Sequence, residues 1–375
     1  MHIVTFRPAA EVGMLLAEVD TPCLLLELDA FERNLKRLPE SLRGPNIRLR
    51  PHAKSHKCPQ IALRQIALGA VGVCCQKVSE AEALIAGGVD DVLIANEVVG
   101  AVKLKRLVAL AQQARVKVCA DEAGNVRDLD AAAGAAGVTL EVLVEVDVGA
   151  HRCGVAPGAP AVALAQQIVS CRHLRFAGLQ AYQGAAQHVR QVAARRDAIA
   201  RAVDDVRNTT QLLGEAGIRC DYVTGAGTGS YMFEAISSVY HELQAGSYIF
   251  MDADYAKNDW TESGIPQFEH SLFVWTTVMS ATAADRAVVD AGLKASSVDS
   301  GMPRVADYGD VEYVKASDEH GVLQLKGATR FRVGDKLRLI PGHCDPTVNL
   351  YDWYVCIRNG RVEALWPITA RGAVL

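Results

Sequence analysis

The stretch DVLIANEVVGAVKLKRLVALAQQARVKVCAD, residues 91–121, contains the pattern that decides the fold. Its first and last runs, DVLIANE (91–97) and VKVCAD (116–121), are short and apolar, and VKLKRLVALAQQA between them has the spacing of an amphipathic helix. Near-continuous apolar strands separated by helices predict a parallel sheet that is covered on both faces. The stretch is therefore expected to form one strand–helix–strand unit of an α/β protein.

The same alternation extends in both directions, from about residue 46 to about residue 265, and gives eight β-rich runs in total. The other six are IRLRPHAK (47–54), VGVCCQK (71–77), LEVLVEVDVG (140–149), RFAGLQAYQG (175–184), DYVTGAG (221–227) and ELQAGSYIF (242–250). Eight such units close a (β/α)8 barrel of the TIM type. We predict this barrel over residues 29–265.

The character of the sequence changes after residue 265, where β-rich runs such as SLFVWTTVMSATA and YDWYVCIRNG show little helical periodicity. These runs and the turn at 358–360 predict a C-terminal antiparallel β domain over residues 266–375. The segment TPCLLLEL (21–28) is a ninth β-rich run. Because eight strands remain without it, we expect the N-terminal segment 1–28 to join the β domain.

Length, charge and cysteine usage narrow the class of protein. The chain has 375 residues, half of them hydrophobic, which suits two domains with a large core. Its net charge of −4 gives no electrostatic reason to expect nucleic acid or an anionic membrane as partner. The ten cysteines form no C-x-x-C pair, and neither a signal peptide nor a membrane span is apparent. We therefore expect a cytoplasmic protein that acts on a small molecule.

Polar residues cluster at the predicted carboxyl ends of the barrel strands, which is the face where barrel enzymes carry their active sites. They are His52, Lys54, Gln76, Asn96, Asp121, Asp147, Arg152, Tyr182, Gln183, Gly225 to Gly229, Ser247 and Tyr248. One polar strand end means little, but eight in register predict a barrel mouth that holds a ligand.

Lys54 alternates with His52 in the first strand, so both side chains are expected on one face. If that face is the barrel lumen, partial desolvation should lower the pKa of the lysine and suit it to form a Schiff base. The alternative is a solvated loop charge. A lone strand-end lysine does not decide between the two.

Gly225–Ser230, in the sequence GAGTGS, follows the seventh strand and precedes a short helical stretch. Glycines let backbone N–H groups approach an anion, and the loops after strands seven and eight commonly hold a phosphate in barrels. Ser247 and Tyr248, after strand eight, could complete this phosphate site. The alternative is a tight turn.

His343-Cys344-Asp345 lies in the β domain. In extended backbone, His343 and Asp345 would share a face, and the pair suits Mn²⁺, Co²⁺, Ni²⁺, Mg²⁺ or Zn²⁺. Two ligands cannot make a closed structural site, so such a metal would be catalytic. A simple turn before Pro346 is an equal alternative. His188 and Arg152 near the barrel mouth could likewise be ordinary packing and surface residues.

Eight motifs occur in order along the chain: RPHAKSHKCPQIALRQIALGA, GVCCQKVSEAEAL, DVLIANEVVG, EVDVGAHRCGV, GLQAYQGAAQH, GAGTGS, ELQAGSYIFMDADY and PGHCDPTVNLYDW. Together they resemble the metal-activated D-threonine aldolases and the related 3-hydroxy-D-aspartate aldolases. These are fold-type III pyridoxal-phosphate enzymes with an alanine-racemase-like barrel. The resemblance runs from Thr21 to Gly372, and its motifs together are specific for the family but less so for the substrate.

The resemblance implies roles for particular residues. Lys54 would carry pyridoxal 5′-phosphate covalently and His188 would be the catalytic base, while His343 and Asp345 would bind the divalent metal, with manganese expected first. The other cofactor-binding positions would be Gln76, Arg152 at the pyridine nitrogen, Tyr182, Gly227, Thr228, Gly229, Ser247 and Tyr248. The resemblance also implies a homodimer.

The expected reaction is that of a carbon–carbon lyase, an aldehyde-lyase. It would cleave D-3-hydroxy amino acids such as D-threonine, D-allo-threonine and D-phenylserine to glycine and an aldehyde. The nearest alternative is cleavage of 3-hydroxy-D-aspartate to glycine and glyoxylate, whose second carboxylate would need a cation such as Arg50, His52 or His56. A D-serine or 3-hydroxyaspartate dehydratase is next, although relatives with that activity usually have H-x-C where this chain has H-x-D. A non-catalytic pyridoxal-phosphate protein and a barrel without this cofactor are weaker alternatives.

Overall fold

The computed structural model describes residues 7–42 and 46–375. The first strand, β1 (Cys23–Glu27), and the first helix, α1 (Leu28–Ser41), lead into a barrel of parallel strands. The barrel strands are β2 (Arg48–Leu49), β3 (Val73–Cys75), β4 (Asp91–Glu97), β5 (Arg115–Ala120), β6 (Leu140–Glu145), β7 (Leu174–Ala181), β8 (Val223–Gly225) and β9 (Glu242–Leu243). Each lies within a run that the sequence predicts, or overlaps it within one residue, although several are shorter.

The eight strands follow the order β3-β4-β5-β6-β7-β8-β9-β2. A parallel bridge between His52 and Cys74 joins the two ends of this order. The predicted (β/α)8 barrel is therefore confirmed.

Amphipathic helices cover the barrel strands. After α1 they are α2 (Pro59–Ala67), α3 (Val78–Ala86), α4 (Ala101–Ala111), α5 (Ala123–Ala136), α6 (Ala159–Ser170), α7 (Val192–Glu215) and α8 (Tyr231–Ala235). In α4, Leu104, Leu107 and Val108 are buried at the three- and four-residue spacing of one helix face. Short 3₁₀ turns lie at Leu16–Glu18, Ala53–Ser55, Gly184–His188, Ser247–Ile249 and Tyr255–Lys257.

A second sheet follows the barrel. Its strands are β10 (Leu272–Ala283), β11 (Arg286–Val289), β12 (Arg304–Val305), β13 (Val311–Ala316), β14 (Gly321–Leu325), β15 (Lys336–Ile340), β16 (Trp353–Arg358) and β17 (Arg361–Pro367), and α9 (Cys344–Val348) precedes β16. As expected, β1 belongs to this sheet, where it pairs antiparallel with β10. It also pairs parallel with β16, so the sheet is mixed and not purely antiparallel. The domain boundaries expected at residues 28 and 265 stay predictions.

Buried charges fill the end of the barrel at which its strands begin. The Arg50 guanidinium donates hydrogen bonds to Glu242 Oε1 at 2.9 Å and to Asp91 Oδ1 at 2.7 Å. Lys117 Nζ lies 3.2 Å from the same Asp91 oxygen, and the Tyr222 hydroxyl donates to Glu242. These groups pair with one another at this end, and the cavity that the polar strand-end residues line lies at the opposite end.

The helices of residues 7–42 and 46–375 are each too short or too polar to cross a lipid bilayer.

Candidate active site

A cavity of about 300 Å³ opens at the carboxyl ends of the barrel strands. Its lining includes eight residues to which the family resemblance assigns a role: Lys54, Gln76, Arg152, Tyr182, Gly227, Thr228, Ser247 and Asp345. It also includes His52, Ser55, Ala95, Gln180, Ala226, Gln244, Gly246 and Tyr255. The cavity therefore joins residues from around the barrel mouth to Asp345 of the short helix α9, which precedes β16.

Lys54 lies in the 3₁₀ turn Ala53–Ser55, and not in the strand that the sequence predicts. The backbone N–H of Lys54 donates to Nδ1 of His52 at 3.4 Å, and Nε2 of His52 lies 2.8 Å from the side-chain amide nitrogen of Gln76. His52 and Lys54 both line the cavity as expected. They do so because of the 3₁₀ turn, and not because side chains alternate along a strand.

The electrostatic expectation for Lys54 is wrong in sign. Burial is the largest single cause and lowers the pKa of its ammonium group, as expected, but the charge and hydrogen bond of Asp345, together with Tyr182 and Glu80, raise that pKa overall. The two groups lie 2.6 Å apart, Nζ to Oδ2. An opposite charge at this distance favours the protonated form of the lysine.

The backbone at His343 and Asp345 also differs from the expectation. His343 is extended, but α9 begins at Cys344, so Asp345 lies in the first turn of a short helix. The backbone N–H of Cys344 donates to Oδ2 of the buried Asp252 at 3.2 Å. Burial raises the pKa of Asp345, yet the charges of Lys54 and His343 lower it overall. The charge of His343 therefore still acts on the carboxylate of Asp345, although the two residues do not share one extended strand.

These two residues fit a divalent metal. Oδ1 of Asp345 is buried and has no hydrogen-bond donor among the described residues. Nδ1 of His343 lies 2.8 Å from Oδ2 of Asp299, which leaves Nε2 as the nitrogen for a metal. A histidine ligand usually donates its other ring N–H to a carboxylate in this way.

The glycine-rich loop fits an anion. The buried Oγ1 of Thr228 has no hydrogen-bond partner in the described part of the chain, and Thr228 lines the cavity. A Cβ on Gly227 would stand 2.5 Å from Oε1 of Gln187, so a larger residue would disturb the loop. The following α8 has only five residues, so the expected helix contribution to anion binding carries little weight. The loop fits a phosphate group instead because the Thr228 hydroxyl has no partner there and because Gly227 leaves no room for a larger side chain.

Two residues predicted for the phosphate site lie outside the cavity lining. The backbone N–H of Gly229 donates to Oε1 of Gln187 at 2.8 Å. The Tyr248 hydroxyl accepts from Gln65 Nε2 at 3.2 Å, and its ring packs on Phe268. Ser247, in contrast, lines the cavity.

Arg152 and Tyr182 lie together on the cavity wall, where the guanidinium carbon is 5.8 Å from the centre of the tyrosine ring. A terminal nitrogen of Arg152 also lies 3.8 Å from Oε1 of Glu145. The arginine thus presents a positive charge to the cavity from the carboxyl end of β6.

His188 lies at the rim, outside the cavity lining. It ends the 3₁₀ turn Gly184–His188, and its side chain is half exposed. Its Nδ1 lies 2.7 Å from Oδ2 of Asp254, and its ring packs on Tyr255, which lines the cavity, at 5.6 Å between ring centres. Such a pairing orients an imidazole and leaves Nε2 free to accept a proton.

Several site residues were missed by the sequence analysis. Gln180 lies in β7, two positions before Tyr182, and Gln244 stands two positions after Glu242 of β9, so period-two spacing could have revealed both. Asp254 and Asp299, the carboxylates against His188 and His343, carry no comparable pattern. Their partners are distant in sequence and meet them only in the folded chain.

The chain is similar to known protein families and to individual enzymes over most of its length. The alanine racemase N-terminal domain matches residues 26–254, and the putative serine dehydratase domain matches residues 271–357. The chain is 49% identical over 370 residues to a D-threonine aldolase of Arthrobacter sp, covering 98% of this chain and 97% of that one. It is 48% identical over 365 residues to a 3-hydroxy-D-aspartate aldolase of Paracoccus denitrificans (strain Pd 1222), covering 96% and 94%. The crystal structure of a D-threonine aldolase from Filomicrobium marinum matches with a TM-score of 0.96 at 52% identity, covering 98% of this chain and 100% of the other.

Proposed function

Because this chain belongs to the family of D-threonine and 3-hydroxy-D-aspartate aldolases, we propose that it cleaves D-3-hydroxy amino acids to glycine and an aldehyde. It is a carbon–carbon lyase of the aldehyde-lyase class with a pyridoxal-phosphate-type fold. The observation that carries the proposal is the distance of 2.6 Å between Lys54 Nζ and Asp345 Oδ2. This contact shows that the candidate cofactor lysine and a candidate metal carboxylate lie in one cavity.

Pyridoxal phosphate, when bound, supplies an electron sink for the bond that breaks. We propose that Lys54 attaches it, that the Thr228 hydroxyl and Ser247 bind its phosphate, and that Arg152 faces its ring nitrogen. Gln76, held by His52, would line the same pocket. Four further positions have a role in the family: Tyr182, Gly227, Gly229 and Tyr248. The tyrosines would shape this pocket through their rings, and the glycines through their backbone.

A divalent metal, manganese in our proposal, would lower the pKa of the substrate hydroxyl. His343 and Asp345 would hold it, with Asp299 orienting the imidazole. His188 would accept the hydroxyl proton at Nε2 while Asp254 holds its Nδ1. Since His188 stands at the rim, the substrate would extend its β-substituent outward from the cavity.

We propose that the site prefers substrates whose β-substituent is uncharged. The second carboxylate of 3-hydroxyaspartate would need a cation such as Arg50, His52 or His56, but Arg50 is paired with Asp91 and Glu242 at the other end of the barrel. Burial lowers the pKa of His56 to about 3, and it also lowers the pKa of His52, with Lys54 adding to the effect. Both imidazoles are therefore neutral near pH 7. D-Threonine and D-phenylserine are accordingly our first choice of substrates.

Assembly and location extend the proposal. We propose a homodimer, because this class of enzyme completes its sites across an interface, and a cytoplasmic location, because the ten cysteines are unpaired thiols.

One product analysis tests the reaction. The purified enzyme is incubated with D-threonine and with D-threo- and D-erythro-3-hydroxyaspartate, with and without Mn²⁺, and glycine, aldehyde and ammonia are measured. We expect glycine and acetaldehyde in equal amounts from D-threonine, with a strong dependence on the metal. Ammonia as the main product would show a dehydratase, and cleavage of 3-hydroxyaspartate alone would move the substrate to the related aldolase.

A further inference from the structure

Gln187 is fully buried and directly precedes His188, and the two residues end the 3₁₀ turn Gly184–His188. The side-chain amide of Gln187 binds the glycine-rich loop, whereas the imidazole of His188 lies against the carboxylate of Asp254. Two adjacent residues of one short turn thus contact the candidate phosphate loop and the carboxylate that orients the candidate base. The reaction proposed above gives Gln187 no role.

Both ends of the Gln187 amide bind the glycine-rich loop. Its Oε1 accepts the backbone N–H of Gly229 at 2.8 Å, and its Nε2 donates to Oγ of Ser230 at 2.7 Å. Because a backbone N–H can only donate, the atom that faces Gly229 must be the amide oxygen, and the orientation of the amide is fixed. The same oxygen lies so near Gly227 that a Cβ there would stand 2.5 Å from it. The Gln187 side chain therefore lies against loop residues on both sides of Thr228.

Thr228 is the loop residue that these contacts hold in place. Its buried Oγ1 has no hydrogen-bond partner in residues 7–42 and 46–375, and Thr228 lines the cavity. Under the function proposed above, this hydroxyl binds the phosphate of the cofactor. A phosphate group bound there would keep the loop in one arrangement, and the loop would in turn hold the side chain of Gln187.

A second set of contacts ties the same turn to Asp254. The backbone oxygen of Gln187 accepts a hydrogen bond from Nδ2 of Asn258 at 2.9 Å, and Oδ1 of Asn258 accepts one from Arg190 at 2.8 Å. Arg190 also donates to the backbone oxygen of Asp254 at 2.8 Å and pairs with its carboxylate. That carboxylate lies 2.7 Å from Nδ1 of His188. The contacts thus form a closed ring that runs from Gln187 back to its neighbour His188.

We propose that Gln187 is a positioning residue that couples the phosphate site to His188, so that a bound phosphate group fixes the turn and, with it, the imidazole. The inference deepens the function proposed above, because it rests on Thr228 as the phosphate ligand and on His188 as the base. His188 is half exposed at the rim, so the backbone of the turn must supply part of its orientation. The coupling would order the base only when the cofactor is in place.

A buried amide that only satisfies the polar groups of the loop is the competing interpretation. It also predicts weaker cofactor binding when Gln187 is replaced, because Gly229 and Ser230 would lose their partner. It does not predict that a phosphate group orders the turn, nor that turnover falls when the cofactor site is full. These two differences separate the interpretations.

Amide hydrogen exchange tests the coupling without any substrate. Peptides that cover residues 184–190 are followed with pyridoxal phosphate, with pyridoxal and with neither, each compound at a concentration that saturates binding. The proteins are the purified wild type, Gln187→Met, Ser230→Ala and, as control, the exposed Gln191→Met. Methionine is about as long as glutamine but cannot donate a hydrogen bond and accepts one only weakly.

The coupling predicts a distinct exchange pattern for each protein. In the wild type and in Gln191→Met, pyridoxal phosphate should slow the exchange of this segment by about tenfold, and pyridoxal by less than about twofold. In Gln187→Met, pyridoxal phosphate should slow it by less than about twofold. Ser230→Ala removes the bond to Nε2 and keeps the bond from Gly229 to Oε1, so its value should lie between those of the wild type and Gln187→Met.

Steady-state kinetics at saturating pyridoxal phosphate separate positioning from cofactor binding. For D-threonine, kcat of Gln187→Met should fall about tenfold while KM stays within about threefold, because a displaced base weakens the transition state and not substrate binding. Gln191→Met should match the wild type in both constants. An unchanged kcat in Gln187→Met at full cofactor occupancy would support the competing interpretation and overturn the proposal.

The exchange data can overturn the proposal in three further ways: pyridoxal phosphate leaves the wild-type segment unchanged, pyridoxal slows it equally, or Gln187→Met is slowed as much as the wild type. If Gln187→Met does not fold, Ser230→Ala decides, and slowing equal to that of the wild type would contradict the coupling. Because the exchange involves no substrate, it can show the coupling even if the product analysis excludes an aldolase. The two proposals can therefore fail separately.

Discussion

Nζ of Lys54 lies 2.6 Å from Oδ2 of Asp345, although the two residues are 291 positions apart in the chain. Lys54 belongs to the first unit of the barrel, and Asp345 lies in the first turn of the short helix α9, which precedes β16 of the second sheet. The contact makes one cavity from two parts of the fold. Chemistry at this site therefore requires both parts.

Replacing Lys54 with alanine should remove the covalent attachment of the cofactor. We expect the absorbance of the covalently attached cofactor to disappear. The turnover number should fall by about three orders of magnitude or more, because the amine of Lys54 is the group that reacts with the cofactor. Borohydride reduction followed by peptide mass analysis should place the pyridoxyl group of the wild type on Lys54. The exposed Lys105→Ala is the control, and labelling of any other lysine would contradict the assignment.

Asp345→Asn should weaken metal binding while the cofactor remains bound. The substitution removes an anionic ligand whose Oδ1 has no donor in the described ranges 7–42 and 46–375, so we expect Mn²⁺ affinity to fall by at least about 10- to 100-fold. Calorimetric titration with Mn²⁺ measures the affinity, and the cofactor spectrum tests integrity. Asp352→Asn, at an exposed ion pair with Arg371, serves as control. Unchanged Mn²⁺ affinity in Asp345→Asn would place the metal elsewhere.

His188→Ala should keep both cofactor and metal and lose turnover by about 10²- to 10⁴-fold, the usual contribution of a general base. Asp254→Asn should cause a smaller loss, because Nδ1 of His188 then lacks the carboxylate at 2.7 Å that fixes its tautomer. Steady-state kinetics with D-threonine measure both effects. If His188→Ala retains full turnover, another group must remove the proton.

The buried charges at the end of the barrel where its strands begin should contribute strongly to the free energy of unfolding. Arg50→Ala leaves Glu242 and Asp91 without their main cation, and we expect a loss of about 3–5 kcal/mol. Arg33→Ala breaks an exposed ion pair with Glu269 and should cost less than about 1 kcal/mol. Urea unfolding of the two variants gives the comparison. Similar losses in both would show that burial does not decide the effect.

Glu234, below the glycine-rich loop, should make stability depend on pH. Burial raises its pKa from 4.5 to about 7, against a hydrogen bond from Ser230. The folded state therefore binds the proton more tightly, so the stabilisation is complete below pH 4.5 and is lost as the pH rises through 7. The difference corresponds to roughly 3 kcal/mol as an upper bound. Urea unfolding at pH 5 and 8 should show a smaller loss in Glu234→Gln than in the wild type or in Glu215→Gln, and parallel losses would contradict the raised pKa.

The repeating pattern of the chain determined the barrel. Apolar runs such as DVLIANE, set between amphipathic helices, bury both faces of a parallel sheet, and this requirement is local enough to read from the sequence. The same reasoning placed Lys54, Gln76, Arg152, Tyr182 and Thr228 near one mouth, and all five line the cavity. Strand ends in a parallel barrel share one face whatever their neighbours are.

Only the tertiary structure decided the directions and charges within that mouth. The sequence could not show that His343-Cys344-Asp345 leaves extended backbone at the start of α9, because Pro346 is compatible with a turn or a first helical turn. It could not place Asp254 beside His188, nor Glu145 near Arg152. The sign of the pKa change at Lys54 reversed for the same reason. Sequence spacing fixes which residues share a face, but a pKa depends on charges that distant parts of the chain bring within a few ångströms.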